Sequence, residues 1–145
     1  MIPEDVLQDI RVAVDYLKTH DDSIVAVNKQ KIIDTKKGEG VRPFLELIRD
    51  IKFPLSACVI GDRILGKASA LLCCYVNARG VYAPQGTKTA IATLVVSGIP
   101  AQLDTMVSHI TNRAGDGLCP FEALLATVDD PARAYDLLQE KLQIS

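Results

Sequence analysis

The segment Ser56–Ala70, with the sequence SACVIGDRILGKASA, joins a short apolar run to a stretch of small residues through a loop that starts at Gly61. The run from Ser56 to Ile60 is typical of a strand that is buried on both faces of a sheet. Residues from about Leu65 to Asn77 are predicted to form a helix. The segment therefore predicts a strand, a loop and a helix, which together make the repeating unit of an α/β protein.

Helices and strands are predicted to alternate along the rest of the chain. A helix from Glu4 to about Lys18 precedes a hairpin with strands near residues 24–27 and 31–35. Later elements are a helix from Pro43 to about Asp50, strands near residues 81–83 and 101–105, a helix near residues 87–97, and helices opening at Pro120 and Pro131. This order predicts a single α/β domain over residues 1–145, a three-layer αβα sandwich with a sheet that is parallel beyond the hairpin.

Composition and charge exclude several classes of protein. A net charge of −2 over 145 residues gives no electrostatic footprint for nucleic acid. No apolar run reaches the roughly 18 residues that a membrane helix needs. The four cysteines contain no C-x-x-C pair, and His20 and His109 are isolated. We therefore expect a reduced, cytoplasmic protein with no metal and no cofactor.

The spacing Gly61-x-x-x-x-Gly66-Lys67 has the skeleton of a phosphate-binding P-loop. That motif needs Ser or Thr directly after the lysine to hold magnesium, but Ala68 is there and Ser69 comes one residue late. Nucleotide hydrolysis is therefore disfavoured. Two interpretations remain: Gly66, Lys67 and Ser69 bind an anion at the helix start, or Lys67 is a surface lysine beside a closely packed helix face.

The segment Cys119-Pro120-Phe121-Glu122 also allows two interpretations. With Pro120 as the first helical residue, Cys119 is the N-cap and Glu122 completes a capping box. Cysteine is a poor substitute for Ser or Thr at an N-cap, however. The alternative is a catalytic Cys119 that acts as a nucleophile with help from Lys67 or Glu122.

Arg42 lies in the loop that follows the predicted hairpin. An arginine at a helix start suits recognition of an anionic or planar group, although a solvated arginine is an equally simple interpretation. The loops at 36–43, 61–67 and 83–87 follow strands, so they should share the sheet edge where α/β proteins bind ligands, and the loop at 112–119 is a candidate to join them there. We therefore expect Arg42, Lys67 and Cys119 to lie at one pocket.

Four separated motifs in this chain resemble, in order, those of a small uncharacterised prokaryotic family, a domain of unknown function with a cytidine-deaminase-like fold. The resemblance covers residues 4–142, and the motifs are Gly40-Val-Arg42-Pro43 with Leu45-Glu-Leu47, Gly66-Lys-Ala-x-Ala70-Leu-Leu72, Gly80-Val-Tyr-Ala83 and Cys119-Pro-x-Glu122. The resemblance implies a three-layer αβα sandwich with a mixed sheet.

The resemblance does not imply deamination. Deaminases hold zinc with a His or Cys of an H-x-E segment and two cysteines of a P-C-x-x-C segment. The corresponding positions here, near Gly40–Arg42 and Gly66–Ser69, hold no zinc ligand. The resemblance therefore implies a deaminase-like pocket that has no zinc chemistry.

We therefore expect a cytoplasmic binding or regulatory module for a small anionic or nucleotide-like ligand. The alternative is a metal-independent enzyme with Cys119 as nucleophile. A symmetric homodimer is also expected, packed through the small-residue helix around Ala68, Ala70 and Cys74.

Overall fold

The computed structural model describes residues 1–111, 114–115 and 117–144. Its helices are α1 (Glu4–Thr19), α2 (Arg42–Asp50), α3 (Lys67–Tyr75), α4 (Lys88–Val96), α5 (Pro120–Leu124) and α6 (Pro131–Leu142). Its strands are β1 (Ile24–Asn28), β2 (Lys31–Lys36), β3 (Val59–Asp62), β4 (Ile64–Leu65), β5 (Gly80–Thr87) and β6 (Ala101–Val107), and a single 3-10 turn covers Leu55–Ala57. The predicted alternation of helices and strands is confirmed.

The sheet is mixed. β1 pairs antiparallel with both β2 and β3, whereas β3, β4 and β6 all pair parallel with β5. β6 pairs along one edge of β5 from Val81 to Thr87, so β3 and β4 follow one another along its opposite edge, with Arg63 between them. The prediction of parallel pairing beyond the hairpin is confirmed for these strands.

Helices lie against both faces of the sheet. On one face, α1 buries Val6, Ile10, Ala13 and Leu17 against Val25, Val27, Val59 and Tyr82. On the other face, the alternate strand residues Ile24, Ala26, Ile60 and Val81 share a core with residues of the other helices, including Phe44, Leu71, Leu94 and Leu138. The alternation follows from the period-two side-chain pattern of strands, and it gives the layers expected of an αβα sandwich.

Several predicted boundaries near the middle of the chain are wrong by a few residues. The strand predicted at Ser56 begins at Val59, because Leu55–Ala57 form the 3-10 turn. Asp62 belongs to β3 and not to the loop, and Leu65 lies in β4 rather than in α3. Because Ile64 and Leu65 pair with β5, part of the segment that was predicted to be a loop is a strand.

α3 is buried nearly all round, from Lys67 to Cys73, between α4 and α6. Its small residues Ala68 and Ala70 are 3 % and 0 % exposed, so they allow close packing inside one chain. The expectation that this helix face supplies a dimer surface is therefore wrong. The homodimer itself stays a prediction.

A buried carboxylate holds the hairpin onto α1. Asp9 accepts hydrogen bonds from the backbone amides of Lys29 (3.1 Å) and Gln30 (2.7 Å), and it pairs with Arg79. Lys29 and Gln30 have φ of 48° and 65°, the left-handed conformation that a two-residue hairpin turn requires. Asp9 thus stabilises both the turn and its position on the helix.

Candidate functional site

A cleft of about 920 Å³ opens at the carboxyl ends of β2 and β3. Most of its described lining comes from three parts of the chain: residues 38–42 before α2, residues 62–64, 66, 68 and 69 from the end of β3 into α3, and residues 110, 111, 114 and 119–122 around the start of α5. The predicted site residues Arg42, Gly66, Ser69, Cys119 and Glu122 all line this cleft. Lys67 does not, although its neighbours on both sides do.

The Lys67 side chain is turned away from the cleft. Its Nζ lies 3.0 Å from Asp129 and donates a hydrogen bond of 3.2 Å to the carbonyl of Ala126, both beyond α5. Lys67 is 9 % exposed, so its interpretation as a surface lysine is wrong. Because its charge is already paired, it offers nothing to a ligand in the cleft.

The start of α3 already binds a carboxylate from the same chain, that of Glu122. Glu122 accepts hydrogen bonds from the backbone amides of Lys67 (2.8 Å) and Ala68 (3.0 Å). A carboxylate at this position is stabilised by the unpaired amides and by the dipole of the helix. Gly66 makes the approach possible, since a Cβ there would collide with the Glu122 carboxylate.

The capping box predicted at α5 does not form. Cys119 is the N-cap residue, but its side chain makes no capping hydrogen bond, and Glu122 reaches α3 instead of returning to Cys119. Cys119 is half-buried in the cleft wall, and its backbone amide donates to the carbonyl of Ile110 at 2.8 Å. The two groups expected to assist a nucleophile, Lys67 and Glu122, are both engaged elsewhere.

Arg42 is the first residue of α2 and is exposed at the cleft. Its Nη2 donates a hydrogen bond of 3.2 Å to the carbonyl of Leu142 near the end of α6. This contact holds the guanidinium at the rim, and among the described residues no second hydrogen bond is made by its other N–H groups, which could reach a ligand.

Asp62 is the residue that sequence reasoning missed. It ends β3, lines the cleft and is 8 % exposed. Desolvation by burial raises the pKa of this carboxyl to about 7, while hydrogen bonds from Ser69 and from the amides of Ile64 and Arg63 hold it lower than burial alone would. Its position at the carboxyl end of a buried strand was the available signal, because α/β ligand sites lie there.

Arg63 lies next to Asp62 but is directed elsewhere. Its Nε donates to the carbonyl of Asp22 (3.0 Å), and its Nη2 donates to the carbonyls of His20 and Asp22 (both 2.7 Å). Its charge is the weakest of the influences that lower the Asp62 pKa. Arg63 therefore holds the connection between α1 and β1 beside the cleft, and its charge has only a small effect on the pKa of Asp62.

Neither histidine lies in the cleft lining. His20 stacks on Tyr16 with ring centroids 4.0 Å apart, and His109 contacts the Ser108 hydroxyl. Within residues 1–111, 114–115 and 117–144, no three or more His, Cys, Asp or Glu side chains are grouped as metal ligands. None of the helices in this described part of the chain is both long and apolar enough to cross a membrane.

Comparison with known proteins identifies a family and a solved relative. Residues 12–142 match the family described as TM1506, a domain of unknown function (DUF1893). The crystal structure of a DUF1893 family protein (TM1506) from Thermotoga maritima is similar, with a TM-score of 0.84 and 24 % sequence identity over 97 % of this chain and 92 % of that one. At this identity the likeness shows a shared fold alone. No curated protein gives a significant match.

Proposed function

The chain belongs to the TM1506 family, a domain of unknown function (DUF1893), and from that premise we propose that it is a small-ligand-binding module. The observation that carries the proposal is the cleft of about 920 Å³ at the carboxyl edge of the sheet. Its size and location are those of small-molecule sites in α/β proteins.

The polar groups of the cleft suggest how a ligand would be held. Apolar side chains such as Ile64, Ile110 and Phe121 contribute much of the lining and suit a ring or another apolar body. Asp62 and Ser69 supply hydrogen-bonding groups at its base. Arg42 at the rim is the group that would hold the anionic part of a nucleotide-like ligand, since Glu122 and Asp129 occupy the other two anion positions.

A cytidine-deaminase-like fold is part of this proposal. Two features support it: the antiparallel β1–β2 hairpin beside β3, and the meeting of the starts of α2 and α3 at the cleft. Deaminases place zinc ligands at such helix starts, whereas Arg42 and Lys67 are the first helical residues here. The proposed binding is therefore independent of zinc chemistry.

Two further points complete the proposal. A cytoplasmic location fits the four free cysteines, as thiols persist in reducing compartments.

Catalysis by Cys119 is the weaker alternative, because Lys67 pairs with Asp129 and Glu122 accepts hydrogen bonds from the α3 amides.

Amide NMR spectra recorded with a set of small ring compounds, with and without an acidic group, would test the binding proposal. We expect the compounds that bind to shift the amide signals of residues 40–42, 62–69, 119 and 121–122. Cys119→Trp would fill the cleft from its wall and abolish these shifts. Val96→Trp is the matched control, because Val96 is 88 % exposed on α4 outside the cleft. Shifts confined to other surfaces, or retained in Cys119→Trp, would refute the proposal.

A further inference from the structure

The base of the cleft carries a buried acid whose role none of the contacts above explains. We propose that Asp62 forms a subsite for an organic nitrogen cation, such as an amidinium group, carried on an apolar body. The inference rests on the proposed function, because it assigns one part of the ligand to the same cleft. Arg42 at the rim would hold an acidic group of that ligand where it has one.

The position of Asp62 makes it a built feature of the cleft. The strand register sets it opposite Ile24 of β1, at the last position of β3. The Ser69 hydroxyl of the first turn of α3 and the amides of Ile64 and Arg63 lower its pKa against the effect of burial, so they lie beside the carboxyl. Asp62 is 8 % exposed and is part of the cleft lining.

The cations that the structure describes around the cleft have partners other than Asp62. Lys67 pairs with Asp129, and the Arg42 guanidinium donates to the carbonyl of Leu142. The Arg63 guanidinium donates to the carbonyls of the α1–β1 connection. In the part of the chain that the structure describes, no Lys, Arg or His forms an ion pair with Asp62.

A buried carboxyl without a paired cation is costly to ionise, since desolvation disfavours its charged form. That is the reason why burial raises the pKa of Asp62 to about 7. A cation bound beside it would supply the missing charge and favour ionisation. Cation binding and loss of the Asp62 proton are therefore linked, and each strengthens the other.

One other titratable group interacts with Asp62 from a neighbouring element, the Cys73 thiol on α3. Burial raises the pKa of this thiol well above its ordinary value, and the charge of Asp62 raises it further. Among the described residues, the remaining charged or titratable groups of the cleft lining are Glu39, Arg42, Arg63, Cys119 and Glu122. Of these, both Glu122 oxygens already accept α3 amides. A pH dependence that disappears in Asp62→Asn would therefore belong to Asp62.

Benzamidine is a suitable probe, since it joins a permanent amidinium to an apolar ring, and benzamide is its neutral counterpart. Binding to the full chain would be measured by calorimetry between about pH 5.5 and pH 8.5. We expect the affinity for benzamidine to rise with pH, by up to about tenfold per unit below the Asp62 pKa, and to level off above it. Binding near neutral pH should release protons, and benzamide should bind more weakly.

The variant Asp62→Asn keeps the shape of the side chain and removes its charge. We expect it to bind benzamidine roughly 10- to 100-fold more weakly, the range for a charged hydrogen bond, and without pH dependence. Asp104→Asn is the matched control, because Asp104 is an exposed acid of β6 outside the cleft lining, bonded to the Tyr82 hydroxyl. It should bind like the unaltered protein.

The pH series uses the unaltered protein, so the test does not depend on the folding of a variant. A pH-independent affinity, equal binding of benzamide, or unchanged binding by Asp62→Asn would overturn the inference. If ring compounds shift the cleft amides while benzamidine does not bind, the cation subsite fails and the proposed function stands. If nothing binds in the cleft, both fail.

Discussion

Glu122 reaches from α5 to the backbone amide of Lys67, which donates to its carboxylate at 2.8 Å. The contact joins two segments that are 55 residues apart in sequence. It closes one side of the cleft and supplies an anion to a helix start that would otherwise attract one from solution.

The substitution Glu122→Gln should therefore destabilise the protein by about 1–3 kcal/mol, because it removes the charge and one of the two acceptors at the start of α3. Urea denaturation would measure the change in unfolding free energy. Glu140→Gln on the exposed surface of α6 is the control and should change it by less than about 0.5 kcal/mol. Equal effects of the two substitutions would contradict this view of Glu122.

Gly40 and Gly98 offer a matched pair for testing how α5 is seated. Both have positive φ, 62° and 73°, so alanine costs about 1 kcal/mol of strain at each. A Cβ at Gly40 would also meet the Phe121 ring at 2.6 Å, whereas nothing lies within 4 Å at Gly98. We expect Gly40→Ala to be the more destabilising by about 1–3 kcal/mol in thermal or urea unfolding. Equal losses would mean that Phe121 moves aside freely.

Asp9 should be among the acids that matter most for stability. Asp9→Asn leaves Arg79 without its buried partner and weakens the hairpin turn, with an expected loss of about 3 kcal/mol. Asp5→Asn is the control, since Asp5 also pairs with Arg79 but its side chain is 72 % exposed, and it should cost less than about 1 kcal/mol. Urea denaturation of both variants would measure the two losses of unfolding free energy. A loss in Asp5→Asn as large as that in Asp9→Asn would contradict this ranking.

The raised pKa of Asp62 also predicts how stability changes with pH. Burial raises that pKa to about 7 in the folded protein, against about 4 in an unfolded chain. The folded state binds the proton more tightly, so the unfolding free energy falls as pH rises between these values. Relative to Asp62→Asn, the unaltered protein should lose about 2–3 kcal/mol between about pH 5 and pH 8. Unfolding at the two pH values measures this difference, and a constant difference would show that Asp62 titrates normally.

Local patterns were sufficient to predict the helices, the hairpin and the edge of the sheet that carries the cleft. Val6, Ile10 and Leu17 recur at helical spacing in the sequence, and the structure buries all three on the same face of α1. The pairing of Lys67 with Asp129 could not be predicted, because it joins positions 62 residues apart through the packing of α3 against the segment beyond α5. Asp62 was overlooked for a similar reason, because its burial depends on the pairing of β3 with β1 and on the packing of α3 beside it.

The two sides of the cleft are anchored very differently. The floor is formed by β3 and α3, whose residues are buried in the core. In α5, by contrast, no residue is buried, and the helix rests on Gly40 through Phe121 and on α3 through Glu122. Phe121 and Leu124 are only partly buried against the core, so α5 should be less stable locally than β3 and α3. Under the proposed function, substitutions in this wall would change ligand preference more than they change the fold.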